Sequence, residues 1–102
     1  MANSETMVVT LNIKNFTQYQ VYRQKIEHLW KKYKGGVTHE YKLAEVVNSP
    51  VSAINHNYMV VVKFDDAPSR EGFFSDPEYQ KIKKLYFDSS VVETKVVEQF
   101  SQ

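Results

Sequence analysis

The run Phe64-Asp65-Asp66-Ala67-Pro68-Ser69-Arg70-Glu71-Gly72-Phe73-Phe74-Ser75-Asp76-Pro77-Glu78-Tyr79 constrains this chain more than any other stretch. Phe64 closes a segment beginning at Asn57 in which Tyr58, Val60, Val62 and Phe64 share one face and Met59, Val61 and Lys63 the other. Period two is the strand repeat, and a strand apolar on nearly both sides belongs in the middle of a sheet. Asp66 can then open a short helix over Ala67 to Phe74 by accepting from the free amides of its first turn. The next helix has two start signals. Ser75 with Glu78 has the spacing of a capping box, and Asp76 is a cap followed by proline at the first helical position. Tyr79, Ile82, Leu85 and Tyr86 give that helix its buried stripe.

The first half of the chain repeats this logic. Met7 to Lys14 alternates, with Met7, Val9, Leu11 and Ile13 on one side. Asn15 or Thr17 can cap the helix that follows, whose stripe is Phe16, Tyr19, Tyr22, Ile26, Leu29, Trp30 and Tyr33. Gly35-Gly36 ends it, since glycine takes the left-handed conformation at little cost. A second strand runs from Val37 to Val46, with Val37, His39, Tyr41 and Leu43 on one face and Thr38, Glu40, Lys42 and Ala44 on the other. Val47 to His56, with Pro50 and several small polar residues, reads as a loop. Val91 to Phe100 is the last strand, with Val92, Thr94 and Val96 opposing Val91, Glu93, Lys95 and Val97.

This order predicts an α+β, ferredoxin-like βαββαβ fold with an antiparallel sheet in the order 4-1-3-2 and both helices on one face. The helix side then collects Val9, Leu11, Ile13, Tyr41, Leu43, Tyr58, Val60, Val62, Val92 and Val96. The other side holds Val8, Ala44, Met59, Val61, Val91 and Val97 among Glu40, Lys42, Lys63, Glu93 and Lys95. That face is too apolar to stay in water and too charged to be wholly buried. A homodimer with sheet packed on sheet resolves the conflict, so the expected partner is a second copy of the chain.

At 102 residues the chain is one domain, 1–102, with its core over about 7–100. A formal net charge of +1 supplies no general field for nucleic acid or anionic lipid. Without cysteine, thiol chemistry and thiolate metal sites are excluded. Met1 to Thr6 has neither a basic start nor an apolar run, and no stretch reaches the roughly 20 apolar residues a membrane span needs. No membrane association is expected, and the cytoplasm is the expected compartment. The histidines His28, His39 and His56 have no metal-ligand spacing, and no phosphate loop or dinucleotide fingerprint occurs, so neither metal nor cofactor is expected.

The tyrosines of the first helix (Tyr19, Tyr22), Tyr33 before Gly35-Gly36, the strand Val60-Val61-Val62-Lys63-Phe64 and the run Ser75-Asp76-Pro77-Glu78-Tyr79-Gln80 carry a resemblance over about residues 7 to 100. The chain resembles a family of roughly hundred-residue bacterial proteins of unknown function in the dimeric α/β-barrel superfamily. That superfamily includes cofactor-free monooxygenases, muconolactone-type isomerases, haem-using relatives and proteins without known activity. Its pockets commonly lie between sheet and helices, which implies catalytic candidates His39 and Tyr41 and pocket candidates Tyr22, Tyr58 and Trp30. His39 would transfer a proton to or from a phenolic or enolic substrate; its bland reading is a structural histidine at a sheet edge. The aromatic stripe likewise reads either as pocket lining or as plain core. Where family members carry an acidic-glycine element and an arginine, this chain has Ala44-Glu45-Val46-Val47 and Leu85-Tyr86-Phe87. Two functions follow from the resemblance: a module binding a small apolar or aromatic molecule or serving assembly, and, as the alternative, a cofactor-free oxygenase or isomerase acting on a small aromatic or enol-like metabolite. The altered positions favour the first.

Overall fold

The computed structural model describes residues 3–43 and 56–101. Along the chain lie β1 (Glu5–Ile13), α1 (Phe16–Lys25), α2 (Glu27–Lys32), β2 (Gly35–Lys42), β3 (Tyr58–Phe64), α3 (Ala67–Ser75), α4 (Pro77–Ile82), a π-helical turn (Lys83–Phe87) and β4 (Val91–Ser101). The strands form one antiparallel sheet in the order β2-β3-β1-β4, which is the predicted order read from the other edge. The fold is therefore ferredoxin-like α+β. Ala44, the expected end of the second strand at Val46 and the loop from Val47 to Asn55 lie outside the described residues.

Helices α1, α3 and α4 start where a side chain can accept from their first free amides. Asn15 Oδ1 accepts from Gln18 N at 3.0 Å, Asp66 Oδ1 from Ser69 N at 2.8 Å, and Asp76 Oδ1 from Glu78 N at 2.8 Å. Ser75 is not the cap of α4; its hydroxyl donates backwards to the Glu71 carbonyl at 2.7 Å and closes α3. The first helix is broken into α1 and α2 at Ile26, where Leu29 N bonds the Ile26 carbonyl three residues back at 2.9 Å. Its stripe still points inward, with Tyr19, Tyr22, Ile26, Leu29 and Trp30 all buried.

The core lies between this stripe, α3 and α4 on one side and Val9, Leu11, Ile13, Val60, Val62 and Phe64 of the sheet on the other. Trp30 stacks on Phe73 with ring centroids 4.3 Å apart, and Phe73 lies 5.4 Å from Phe64. The glycines after α2 do a different job from the expected one. Lys34 takes the left-handed conformation (φ 54°), and no glycine has positive φ. Gly35 is required by space: a Cβ there would lie 2.5 Å from Phe64 Cε1.

Irregularities in the ladders change which residues share a face. Val37 pairs with Val62 but His39 pairs with Val61, so Thr38 is an extra residue, a β-bulge. Because side chains alternate, one extra residue reverses every face that follows. Glu40 and Lys42 thus join Val60 and Tyr58 on the helix side, while His39 and Tyr41 turn to the face away from the helices. The expectation of His39 and Tyr41 beside the helices is corrected accordingly. In β4, Val92 and Val97 are the extra residues. Val91 therefore faces inward opposite Ile13 and is buried, whereas Val92 is 61% exposed, the reverse of the alternation expected for this strand. The π-helical turn does the same to the last helix. Asp88 N bonds the Lys83 carbonyl at 2.9 Å, five residues back, and the widened turn leaves Leu85 53% exposed. Phe87 takes the inward place, its ring 5.0 Å from that of Tyr22.

Candidate functional site

A cavity of about 560 Å³ lies between the sheet and the helices. Strands supply its apolar floor through Val9, Leu11, Val60 and Val62; the helices supply Tyr22, Trp30, Phe73 and Tyr79, and the π-helical turn supplies Phe87. These aromatics are placed by the same three- and four-residue steps that make the helices amphipathic. Core and cavity are therefore one surface: the stripe packs at its ends and leaves space at its middle.

Polar atoms are few here and specifically placed. The Tyr22 and Tyr79 hydroxyls are 3.0 Å apart. Burial raises the pKa of Tyr79 and, reinforced by the neighbouring Tyr79 phenol, lifts Tyr22 well above the ordinary tyrosine value. Tyr19 is also raised by burial, an effect that nearby Arg23 partly offsets. All three phenols therefore stay protonated through the physiological range. Among the described residues, no group of three or more histidine or carboxylate side chains has the geometry to hold a metal ion.

Tyr19 and Arg23 divide this cavity from a second one of about 360 Å³, lined also by Phe16, Glu40, Lys42 and Tyr58. The bulge at Thr38 is what brings Glu40 here. Its Oε1 accepts from Arg23 Nη1 and from the Tyr58 hydroxyl, both at 2.6 Å. Burial alone would raise the Glu40 pKa, but these two donors outweigh it and hold the carboxyl below its ordinary value. Desolvation and then the Glu40 carboxylate push Tyr58 up to about 12.

Of the residues singled out from the sequence, Tyr22 and Trp30 line the main cavity and Tyr58 the second one. His39 and Tyr41 line neither. They are exposed on the opposite face, with rings stacked 6.3 Å apart, and the His39 Nδ1 hydrogen-bonds the Thr38 hydroxyl at 3.1 Å. Three groups were missed. Tyr79 and Phe87 belong to the cavity; Tyr79 was visible as a helix-stripe residue, but Phe87 depends on the π-helical turn. His56, read as a loop residue, is 4% exposed over the face away from the helices. Its Nδ1 lies 2.6 Å from Thr10 Oγ1 and its Nε2 3.0 Å from Glu93 Oε1. Asn57 holds it there by pairing both edges of its amide with Ile13, at 2.9 Å to N and 2.8 Å to O.

The chain belongs to a family described as a domain of unknown function (DUF1330), whose model matches residues 6–100. No curated protein matches it in sequence. Its fold is similar to that of a protein of unknown function from Rhodopseudomonas palustris, with a TM-score of 0.83 and 10% identity over 100% of this chain and 84% of that one. It is similar to a dimeric ferredoxin-like protein of unknown function from Thermobifida fusca (TM-score 0.59, 10% identity, 100% and 93% covered). SnoaB, a cofactor-independent oxygenase from Streptomyces nogalater, also shares the fold (TM-score 0.63, 11% identity, 99% and 94% covered). At such identities the likeness is one of fold. Among the described residues, no helix is long and apolar enough to cross a membrane.

Proposed function

We propose that this protein is a homodimer that binds a small apolar or aromatic molecule between its sheet and its helices. The observation that carries the binding reading is the cavity: its volume falls within the roughly 300–1,000 Å³ of small-molecule sites, and its wall is apolar with a few convergent hydroxyls. The alternative, a cofactor-free oxygenase or isomerase, rests on likeness of fold, which does not fix chemistry. Among the described residues, no histidine lines the cavity to exchange a proton with a ligand held there.

The dimer reading rests on the face away from the helices, where Val8, Met59 and Val61 are only half-buried and Tyr41 and Phe100 are 48% and 39% exposed. With Glu40 and Lys42 turned to the other side, this face carries fewer charges than the alternation implied. A ligand library screened by thermal unfolding tests the binding reading. A true ligand at 100 times its Kd adds about 2.7 kcal/mol of stability; a library rich in apolar and aromatic compounds that shifts nothing refutes it. Light scattering tests the dimer: the protein runs as two copies, and Val61→Glu, which buries a charge at the seam, runs as one.

A further inference from the structure

The charges at the cavity wall are already paired, while its buried hydroxyls leave one neutral donor with nothing to receive it. Four charged residues line the cavity, Arg23, Lys83, Asp88 and Glu93, the last with its carboxylate turned to His56 on the face away from the helices. Arg23 is held by Glu40 at 2.6 Å, Lys83 Nζ by Asp88 Oδ1 at 2.9 Å, and Glu93 Oε1 by His56 Nε2 at 3.0 Å. A charged ligand would have to displace one of these partners or leave its own charge against apolar wall, and neither loss is returned by apolar contact.

The donors tell the complementary half. The Tyr22 and Tyr79 hydroxyls are both buried and bond each other. Two hydroxyls carry two hydrogens and their mutual bond uses one, so one O–H remains to be received. Arg23, which lines both cavities, has its Nε buried with no hydrogen-bond partner among the described residues. A buried donor without an acceptor is rarer in folded proteins than an acceptor with spare capacity. From this surplus we infer that the cavity takes an uncharged apolar molecule bearing a carbonyl-type oxygen (a ketone, quinone or lactone) that accepts from the Tyr22–Tyr79 hydroxyl pair. This rests on the cavity being a binding site and adds the class of what it binds.

Four probes of one shape separate the two claims: 1-tetralone, tetralin, 1-aminotetralin and tetralin-1-carboxylate, titrated by calorimetry. Trp30 is the only tryptophan and lines the cavity, so a change in its emission on binding locates the probe. The ketone should bind about five- to tenfold tighter than the hydrocarbon, the gain of roughly one neutral hydrogen bond. Both ions should bind at least about tenfold more weakly than the ketone. In the double variant Tyr22→Phe/Tyr79→Phe the ketone's advantage disappears while the hydrocarbon's Kd holds. Equal binding of ketone and hydrocarbon, or an ion that binds as tightly as the ketone, overturns the acceptor inference and leaves the cavity reading standing. Failure of all four to bind overturns the cavity reading itself. If the double variant does not fold, the ranking of the four probes on the native chain decides.

Discussion

Gly35→Ala isolates one contact in this fold. The added Cβ would sit 2.5 Å from Phe64 Cε1, closer still to Cδ1, and 3.2 Å from the Lys63 carbonyl oxygen. The Phe64 ring cannot yield, because it is fully buried and boxed by Trp30 at 5.8 Å, Phe73 at 5.4 Å and Phe74 at 5.8 Å. Forcing a methyl group into such a core costs about 1–3 kcal/mol. Replacing glycine also restricts the unfolded chain, which offsets about 0.4–1 kcal/mol where the backbone is compatible. A net loss of about 1–2 kcal/mol follows, or a fall in Tm of roughly 5–15 °C for a domain of this size. Gly36→Ala is the matched control. A Cβ there meets nothing within 4 Å, and neither glycine has positive φ, so only the entropic gain applies. Urea melts at one fixed protein concentration, followed by far-ultraviolet circular dichroism, measure both. If the two variants have the same midpoint, the ring contact is not what demands glycine at position 35, and the reasoning fails.

Other outcomes follow from the same geometry. Lys34→Gly should stabilise by about 0.5–1 kcal/mol, since Lys34 is a non-glycine residue at φ 54° after a helix; chemical denaturation reads it directly. His56→Ala removes the partner of the buried Thr10 hydroxyl and should cost about 1–3 kcal/mol, with Thr10→Val/His56→Ala no worse than His56→Ala alone in the same assay. The Tyr33 hydroxyl, with the Glu78 amide and Lys32, lowers the Asp76 pKa to about 2. A depressed carboxyl adds stability above its unfolded pKa near 4 and loses it as the pH falls to about 2. Stability should therefore drop across that window, and Asp76→Asn should flatten the profile.

Much of this fold was legible because its determinants are local. The alternation of Val60 to Phe64, the caps at Asn15, Asp66 and Asp76, and the stripe from Tyr19 to Trp30 each depend on neighbours in sequence. What could not be read were additions to the period. Thr38, Val92 and Val97 are ordinary strand residues, and nothing in their type announces a bulge; only the register against β3 and β1 does. The expected faces of His39, Tyr41, Val91 and Val92 failed for that reason. Leu85 and Phe87 exchanged roles because a five-residue hydrogen bond replaced a four-residue one. The site followed suit. Tyr22 and Trp30 were found because they sit on an unbroken part of the stripe, whereas the Glu40 network and the Thr10–His56–Glu93 cluster depend on partners 17 to 46 positions away.

Thr38 acts as a selector between two versions of the same protein. Left unpaired, it turns a carboxylate toward the helices and an imidazole away; paired regularly opposite Val61, it would make the two trade places although no amino acid had changed. A one-residue slip of β2 against β3 beyond that point would thus rewire the chemistry at the interior wall and repaint the exterior in a single event. Relatives should for this reason be compared in β2 by strand register, not by aligned letter.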